Sequence, residues 1–322
     1  MNDGLCLAIR QRLKTAKSII IASHVRPDGD AIGSLLGLGL ALQQAGKSVQ
    51  MVLSDGIPTA FRHLPGSNQV QKRYSGIFDT VIVVDCSDIE RVGGALNGMV
   101  KPDLAIDHHI TNLEFGILNL VVPEAVATSA ILAEYLPKWG FPITSAIASA
   151  LLTGLVSDTL GFRTSNMNPE TLRLAADLME KGANLPELYQ HALVDHSYKG
   201  LCYWGQGLSH LQREGRLVWT RLTLTDRDIV GYTGNDDADL INILSAIDDA
   251  DVAVIFIEQK GGRVKISWRS QPGIDVSQIA LRFGGGGHPA ASGAEITGDM
   301  DYVQELVLDA TRLILKHENN KL

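Results

Sequence analysis

The chain is expected to fold as an α/β protein. A mostly parallel, five-stranded N-terminal sheet flanked by helices should precede a smaller α+β domain. Three observations point there. Short apolar runs such as Ser18-Ile19-Ile20-Ile21-Ala22 and Thr80-Val81-Ile82-Val83-Val84 lack polar alternation and read as strands buried on both faces. Helical patterns separate these runs, as βαβ units require. After about Ser197 the texture changes to alternating strands with a hairpin turn at Lys260-Gly261-Gly262.

Each element has a local reason. The first strand, residues 18–22, feeds a small-residue helix over 31–45 that Gly46 ends. Residues 47–54 read as a second strand and 57–64 as a short helix. The third strand, 80–84, stops on Asp85-Cys86-Ser87-Asp88; the fourth, 103–106, stops on Asp107-His108-His109; a fifth covers 116–122. Helices follow over 128–139 and 144–156, the second rich in Ala and Leu and expected to be buried. Asn168 and Pro169 supply a cap and a first-turn proline for a helix that Gly182 closes, and 185–195 is helical again. Strands over 217–223, 251–259 and 263–269, and helices over 239–247, 276–283 and 302–315, make up the C-terminal part. The expected division is 1–190, a linker over 191–209, and 210–322, two domains being ordinary for 322 residues.

A net charge of −8 argues against a general binder of long duplex nucleic acid, which needs a basic excess to displace counterions. Cys6, Cys86 and Cys202 are too few and too far apart for a disulfide framework. The opening residues, Met1 to Lys17, have no long apolar core, and no apolar run reaches spanning length, so a cytoplasmic protein without membrane contact is expected.

In parallel sheets, ligands bind beyond the carboxyl ends of the strands. Three such ends here carry His24/Asp28/Asp30, Asp85 and Asp107/His108/His109. A fourth carboxylate, Asp158, ends a helix expected to be buried, where an unpaired charge is expensive. The blander reading is a set of polar turns, with Asp30 capping the helix after the first strand. The combination favours metal: many carboxylates with two or three imidazoles and no thiolate pair suit Mn²⁺, with Mg²⁺, Fe²⁺ or Co²⁺ as substitutes. Six to seven donors exceed one tetrahedral zinc site and fit two divalent ions about 3.5–4 Å apart sharing a carboxylate. Hydrolysis of a phosphate ester or anhydride is the implied reaction. In the second domain, Lys260, Arg263, Lys265, Arg269 and Arg282 surround a run Gly284-Gly285-Gly286-Gly287-His288, an expected loop whose N–H groups suit an anion.

The chain resembles the DHH/DHHA1 phosphoesterases, in particular the bacterial nanoRNase and 3′-phosphoadenosine-5′-phosphate phosphatase group. The resemblance rests on His24-x-x-x-Asp28-x-Asp30, Val84-Asp85, Asp107-His108-His109, Ser157-Asp158-Thr159, Ile266-Ser267-Trp268-Arg269-Ser270 and the glycine run with His288. It implies that His24 and Asp28 hold a first metal, Asp30, His108 and Asp158 a second, and that Asp85 bridges them. His109 would sit on the scissile phosphate, with Asp107 behind it. Arg269, Ser270, Gly285, Gly286, Gly287 and His288 would bind the far end of the nucleotide. Leu160 departs from the family pattern, which commonly has Gly after Asp-Thr. The implied enzyme is a Mn²⁺-dependent exonuclease and phosphatase for short single-stranded RNA and 3′-phosphoadenosine 5′-phosphate, with a homodimer left open. The alternatives are a phosphodiesterase for linear or cyclic dinucleotides, an inorganic pyrophosphatase, or a nucleotide sensor without turnover.

Overall fold

The Ile-rich run becomes the second strand in from the edge of a parallel sheet. In the computed structural model, which describes residues 3–96 and 101–319, the chain divides into two units, Met1–Asp195 and His196–Leu322. The first unit runs α1 (Asp3–Thr15), β1 (Ser18–Ala22), α2 (Gly29–Gln44), β2 (Ser48–Val52), β3 (Thr80–Val84), β4 (Leu104–Asp107), β5 (Leu118–Val121), α3 (Thr128–Trp139), α4 (Ser145–Asp158), α5 (Pro169–Glu180) and α6 (Leu185–Tyr189). The strand order is β2-β1-β3-β4-β5, and every neighbouring pair is parallel. The α/β architecture expected from the sequence is therefore present. The helix expected over 57–64 contracts to a single 3₁₀ turn, Thr59–Phe61.

This order makes the chain leave β1 toward one edge and return as β3 on β1's other side. Such a reversal opens a crevice beyond the carboxyl ends of β1 and β3. His24 lies two residues past β1 and Asp85 directly past β3, so topology alone brings both to that crevice. The helices carrying the remaining acids pack almost backbone to backbone. A Cβ added at Gly33 of α2 would lie 2.5 Å from the Ala150 carbonyl oxygen and 2.8 Å from the Gly154 nitrogen of α4. Residues with side chains at these positions would push the helices apart.

The second unit comprises α7 (Tyr198–Ser209), β6 (Gln212–Glu214), β7 (Leu217–Leu222), α8 (Leu224–Val230), α9 (Leu240–Leu244), β8 (Val252–Gln259), β9 (Arg263–Ser270), α10 (Ser277–Arg282), β10 (Gly286–His288), β11 (Ala291–Thr297) and α11 (Met300–Asn319). Its sheet runs β10-β11-β9-β8-β7-β6, with only β7 and β8 parallel. Alternation along β8 and β9 gives each face a core: Phe256, Ile266 and Trp268 pack on Val303, Val307 and Leu308 of α11, while Ile255 and Ile257 pack with Tyr203, Leu240 and Ile241. The stretch 191–209 carries most of a π-helical turn, Gln190–Val194, and all of α7. Among the described residues no helix is long and apolar enough to cross a membrane.

Candidate metal centre and anion-binding face

The loop from β1 to α2 divides its work between two carboxylates. Asp28 caps α2: its Oδ1 accepts from the backbone N–H groups of Asp30 and Ala31, both at 3.0 Å. The cap is thus Asp28 and not Asp30, because Asp30 already lies inside the first helical turn. The second Asp28 oxygen stands 3.8 Å from His24 Nε2. The His24 Nδ1 lies 2.8 Å from the Val25 carbonyl oxygen, which only accepts, so Nδ1 carries the proton and Nε2 faces the acids. Asp30 is buried and held by the N-terminus of α3: Thr128 N–H donates to Oδ2 at 2.6 Å and Ser129 N–H to Oδ1 at 2.9 Å. Gly154 leaves room for that carboxylate, since a Cβ there would lie 2.7 Å from Asp30 Oδ1.

Asp85 stands between the two imidazoles. Its Oδ2 is 3.6 Å from His24 Nε2, and its Oδ1 is 3.7 Å from His108 Nε2. The backbone there is left-handed, φ 52°, a conformation that aspartate tolerates better than most residues. His108 turns its Nδ1 to the Ala125 carbonyl at 3.3 Å, and its Nε2 lies 3.9 Å from Asp30 Oδ2 and 3.5 Å from Asp158 Oδ2. Two of the donor groups that result are His24/Asp28/Asp85 and Asp30/Asp85/His108, each with its ligand atoms within 4.8 Å of one another. Asp85 belongs to both. Separations of 3.5–3.9 Å are too long for hydrogen bonds. They suit donors sharing an ion, since atoms each ~2.1 Å from one cation lie roughly 3–4 Å apart. Carboxylates and Nε2 atoms of fixed tautomer therefore fit divalent cations.

The electrostatics agree. Burial pushes the Asp30 carboxyl well above the ordinary range, and the Asp85 and Asp158 charges push the same way. Burial also opposes ionisation of Asp85, but the neighbouring His24, His109 and His108 rings outweigh it and hold that carboxyl far below the usual range. Burial disfavours a proton on His108, yet Asp158, Asp85 and Asp30 overcome it and raise the ring to about 9. Negative charge thus accumulates where a cation would relieve it. The Cys86 thiol, pushed up to about 12 by burial, stays a small buried group.

His109 faces the same region. Its Nδ1 donates to Asp107 Oδ1 at 2.7 Å and lies 3.8 Å from Asp85 Oδ1. Asp107 is fully buried. Two residues that sequence reasoning passed over complete the surroundings. The Thr128 hydroxyl donates to Asp85 Oδ1 at 3.0 Å, and the Asn112 amide donates to Asp107 Oδ2 at 2.6 Å. Both contacts span the chain or a turn that shows no periodic pattern; the nearest sequence signal was a polar residue opening a helix. Leu160 adopts φ 49°, a left-handed conformation that glycine takes without strain, so the departure noted in the sequence falls where glycine would be easiest.

In the second unit the glycine run is not an open loop. Gly286–His288 form edge strand β10, paired as Gly286 with Gly293, Gly287 with Ser292 and His288 with Ala291. The Gly285 N–H donates to the Ala280 carbonyl at 2.9 Å. Gly287 requires its lack of a side chain: φ is 139°, and a Cβ would lie 2.5 Å from the Ala291 carbonyl oxygen. Ala291 also pairs with Arg269 of β9, so His288, Ala291 and Arg269 lie in one row on one face. The small Ala291 leaves a gap between a cationic side chain and an imidazole. Ser270 is spent on structure, its hydroxyl donating to the carbonyls of Ile274 at 2.7 Å and Pro289 at 3.2 Å. Asp239, missed in the sequence, feels the charges of Arg269 and Lys265. Lost hydration, with Asp237 and Asp236, pushes its carboxyl up to about 6 against those two cations.

Residues 18–155 match the DHH family, N-terminal domain, and residues 229–316 match the DHHA1 domain. The chain is 38% identical over 303 residues to the bifunctional oligoribonuclease and PAP phosphatase NrnA of Thermus thermophilus, covering 91% of this chain and 89% of that protein. It is 30% identical to the protein of the same name from Mycoplasma genitalium, over 98% of this chain and 99% of that one. Among solved structures, an exopolyphosphatase-related protein from Bacteroides fragilis matches with a TM-score of 0.84 at 25% identity, covering 98% and 97% of the two chains.

Proposed function

Because the chain belongs to the family that joins a DHH domain to a DHHA1 domain, we propose that it is a two-metal phosphoesterase. Its substrates are short single-stranded oligoribonucleotides and 3′-phosphoadenosine 5′-phosphate, cut to mononucleotides, in keeping with the names of its relatives. The observation that carries this reading is the sharing of Asp85 between two donor groups. His24 and Asp28 would hold one ion, and Asp30, His108 and Asp158 the other. When bound, such a pair of ions supplies an activated water and neutralises the phosphoryl oxygens. Oxygen and imidazole donors favour Mn²⁺.

The residues of the chain do the rest. Asp107 holds the His109 ring so that its other nitrogen faces the scissile phosphate. Arg269 and His288 bind a phosphate that is not cut. The acidic overall charge and this compact basic patch limit the substrate to small nucleotides, and free Cys6, Cys86 and Cys202 suit a reducing cytoplasm.

The test is release of mononucleotide and phosphate from a panel of substrates, with Mn²⁺ and with excess chelator. The panel holds di- to pentaribonucleotides, 3′-phosphoadenosine 5′-phosphate, cyclic and linear dinucleotides, and pyrophosphate. Turnover of the first two classes, lost on chelation and restored by Mn²⁺ better than by Zn²⁺, is expected. Turnover of pyrophosphate alone, or none at all, would replace this reading.

A further inference from the structure

We propose that Asn112 is a positioning residue that locks the Asp107–His109 pair and ties it to the strand end bearing Asp85. Its backbone N–H donates to the His109 carbonyl at 3.1 Å, closing a turn that tucks the side chain beneath the histidine. Every hydrogen-bonding group of the amide is then used. Nδ2 donates to Asp107 Oδ2 at 2.6 Å and to the Cys86 carbonyl at 3.0 Å, while Oδ1 accepts from Glu114 N–H at 2.6 Å. The reverse amide orientation would set an oxygen against two acceptors and an NH₂ against a donor, so this one is fixed by its partners.

The consequence passes through Asp107. Its Oδ2 is held by Asn112, and its Oδ1 accepts from His108 N–H at 2.9 Å and His109 Nδ1 at 2.7 Å. A buried carboxylate with both oxygens engaged has no rotation left. It can accept only from a protonated Nδ1, so His109 presents Nε2 as its acceptor nitrogen. The Cys86 carbonyl belongs to the residue after Asp85, so one side chain joins the ends of β3 and β4. Asn112 thus sets both the tautomer of His109 and its distance from the shared carboxylate. Its catalytic consequence rests on the proposed function, in which His109 acts at the phosphate.

The first test needs no variant and no turnover. In the metal-free protein, long-range ¹H–¹⁵N spectra of the His109 ring at pH 8.5 should show the proton on Nδ1; a ring protonated only on Nε2 would overturn the proposal. In Asn112→Ala the two neutral tautomers should mix. With Mn²⁺ and a dinucleotide, Asn112→Ala should lower kcat 10- to 100-fold, with KM and the number of bound ions unchanged. Asn112→Asp, which sets two carboxylates against each other, should lose more; activity near wild type would count against the idea. In a His109→Ala background, Asn112→Ala should change kcat less than twofold. A full further loss there would show that Asn112 acts on something other than His109. An inactive wild type would remove the proposed function and leave the spectra to decide the positioning role.

Discussion

The hydroxyl of Thr128 donates to Asp85 Oδ1 at 3.0 Å while the backbone N–H of the same residue donates to Asp30 Oδ2 at 2.6 Å. One residue at the start of α3 therefore fixes two carboxylates that both face His108. Thr128→Val keeps the shape of the fully buried side chain and deletes only the hydroxyl. Losing a hydrogen bond to a charged acceptor is worth about 1.5–3 kcal/mol. The expected outcome is a roughly 10- to 100-fold weaker second Mn²⁺ in a metal titration, with the first ion little affected. Unchanged binding of both ions would mean that the hydroxyl serves only the packing of α3.

Asp85→Asn isolates charge from conformation. Asparagine tolerates the left-handed backbone at φ 52°, so the fold should survive. The variant removes a negative charge that both donor groups share. Metal analysis should find at most one ion per chain, and kcat should fall by at least about 100-fold, more than for any of the other ligand acids, Asp28→Asn, Asp30→Asn or Asp158→Asn. Two ions retained at wild-type turnover would end the sharing role.

How far these partners were legible from the sequence depends on whether they act locally. The buried strands β1 and β3 announce themselves through unbroken β-branched runs, and His24 and Asp85, which face the crevice, follow just past their ends. Helix α5 is equally plain, because Asn168 and Pro169 are a cap and a first-turn residue in succession. Thr128 and Asn112 gave no such sign, since their importance lies in contacts with Asp85 and Asp107 that only the folded sheet creates. Strand β10 was equally hidden: Gly286-Gly287-His288 has no strand propensity and is a strand only because β11 pairs with it. Helix α1 is hidden likewise, because charged and polar residues interrupt its apolar positions.

Arg269→Ala separates gripping from cutting. An interaction with a phosphate that is not cut is shared by ground and transition states, so KM should rise more than kcat falls. On a dinucleotide the loss in kcat/KM should correspond to roughly 1.5–3 kcal/mol. A minimal chromogenic phosphodiester without a second phosphate should barely respond. Equal losses on the two substrates would assign Arg269 to the fold.

Asp239 carries a pH signature. Its carboxyl is raised to about 6 in the folded protein from an ordinary value of 3.8, by lost hydration at the carboxyl and by the Asp237 and Asp236 charges, although the residue as a whole is exposed. The folded state therefore binds the proton more tightly than the unfolded one, and stability falls as pH rises between about 4 and 6. Asp239→Asn mimics the protonated form and tolerates the left-handed φ of 69°. Because the residue is exposed, solvent screens much of this effect, and urea unfolding should show the variant modestly more stable at pH 8, by less than about 1 kcal/mol, and equal to wild type below pH 4. A variant less stable at pH 8 would mean that the attraction of Arg269 and Lys265 dominates.

The contact at Gly33 and Gly154 has a consequence for how such a chain can drift over generations. Asp30 lies one helical turn before Gly33, and Asp158 one turn after Gly154. Where helices meet through Leu or Met, exchanging those side chains slides the helices past each other. Where they meet backbone on backbone, the spacing is set by atomic radii that no substitution elsewhere can alter. The span between the two carboxylates is therefore insulated from changes in the surrounding Leu and Ile residues. Those apolar positions are free to be rewritten, while one added methyl group at either glycine would widen the site directly.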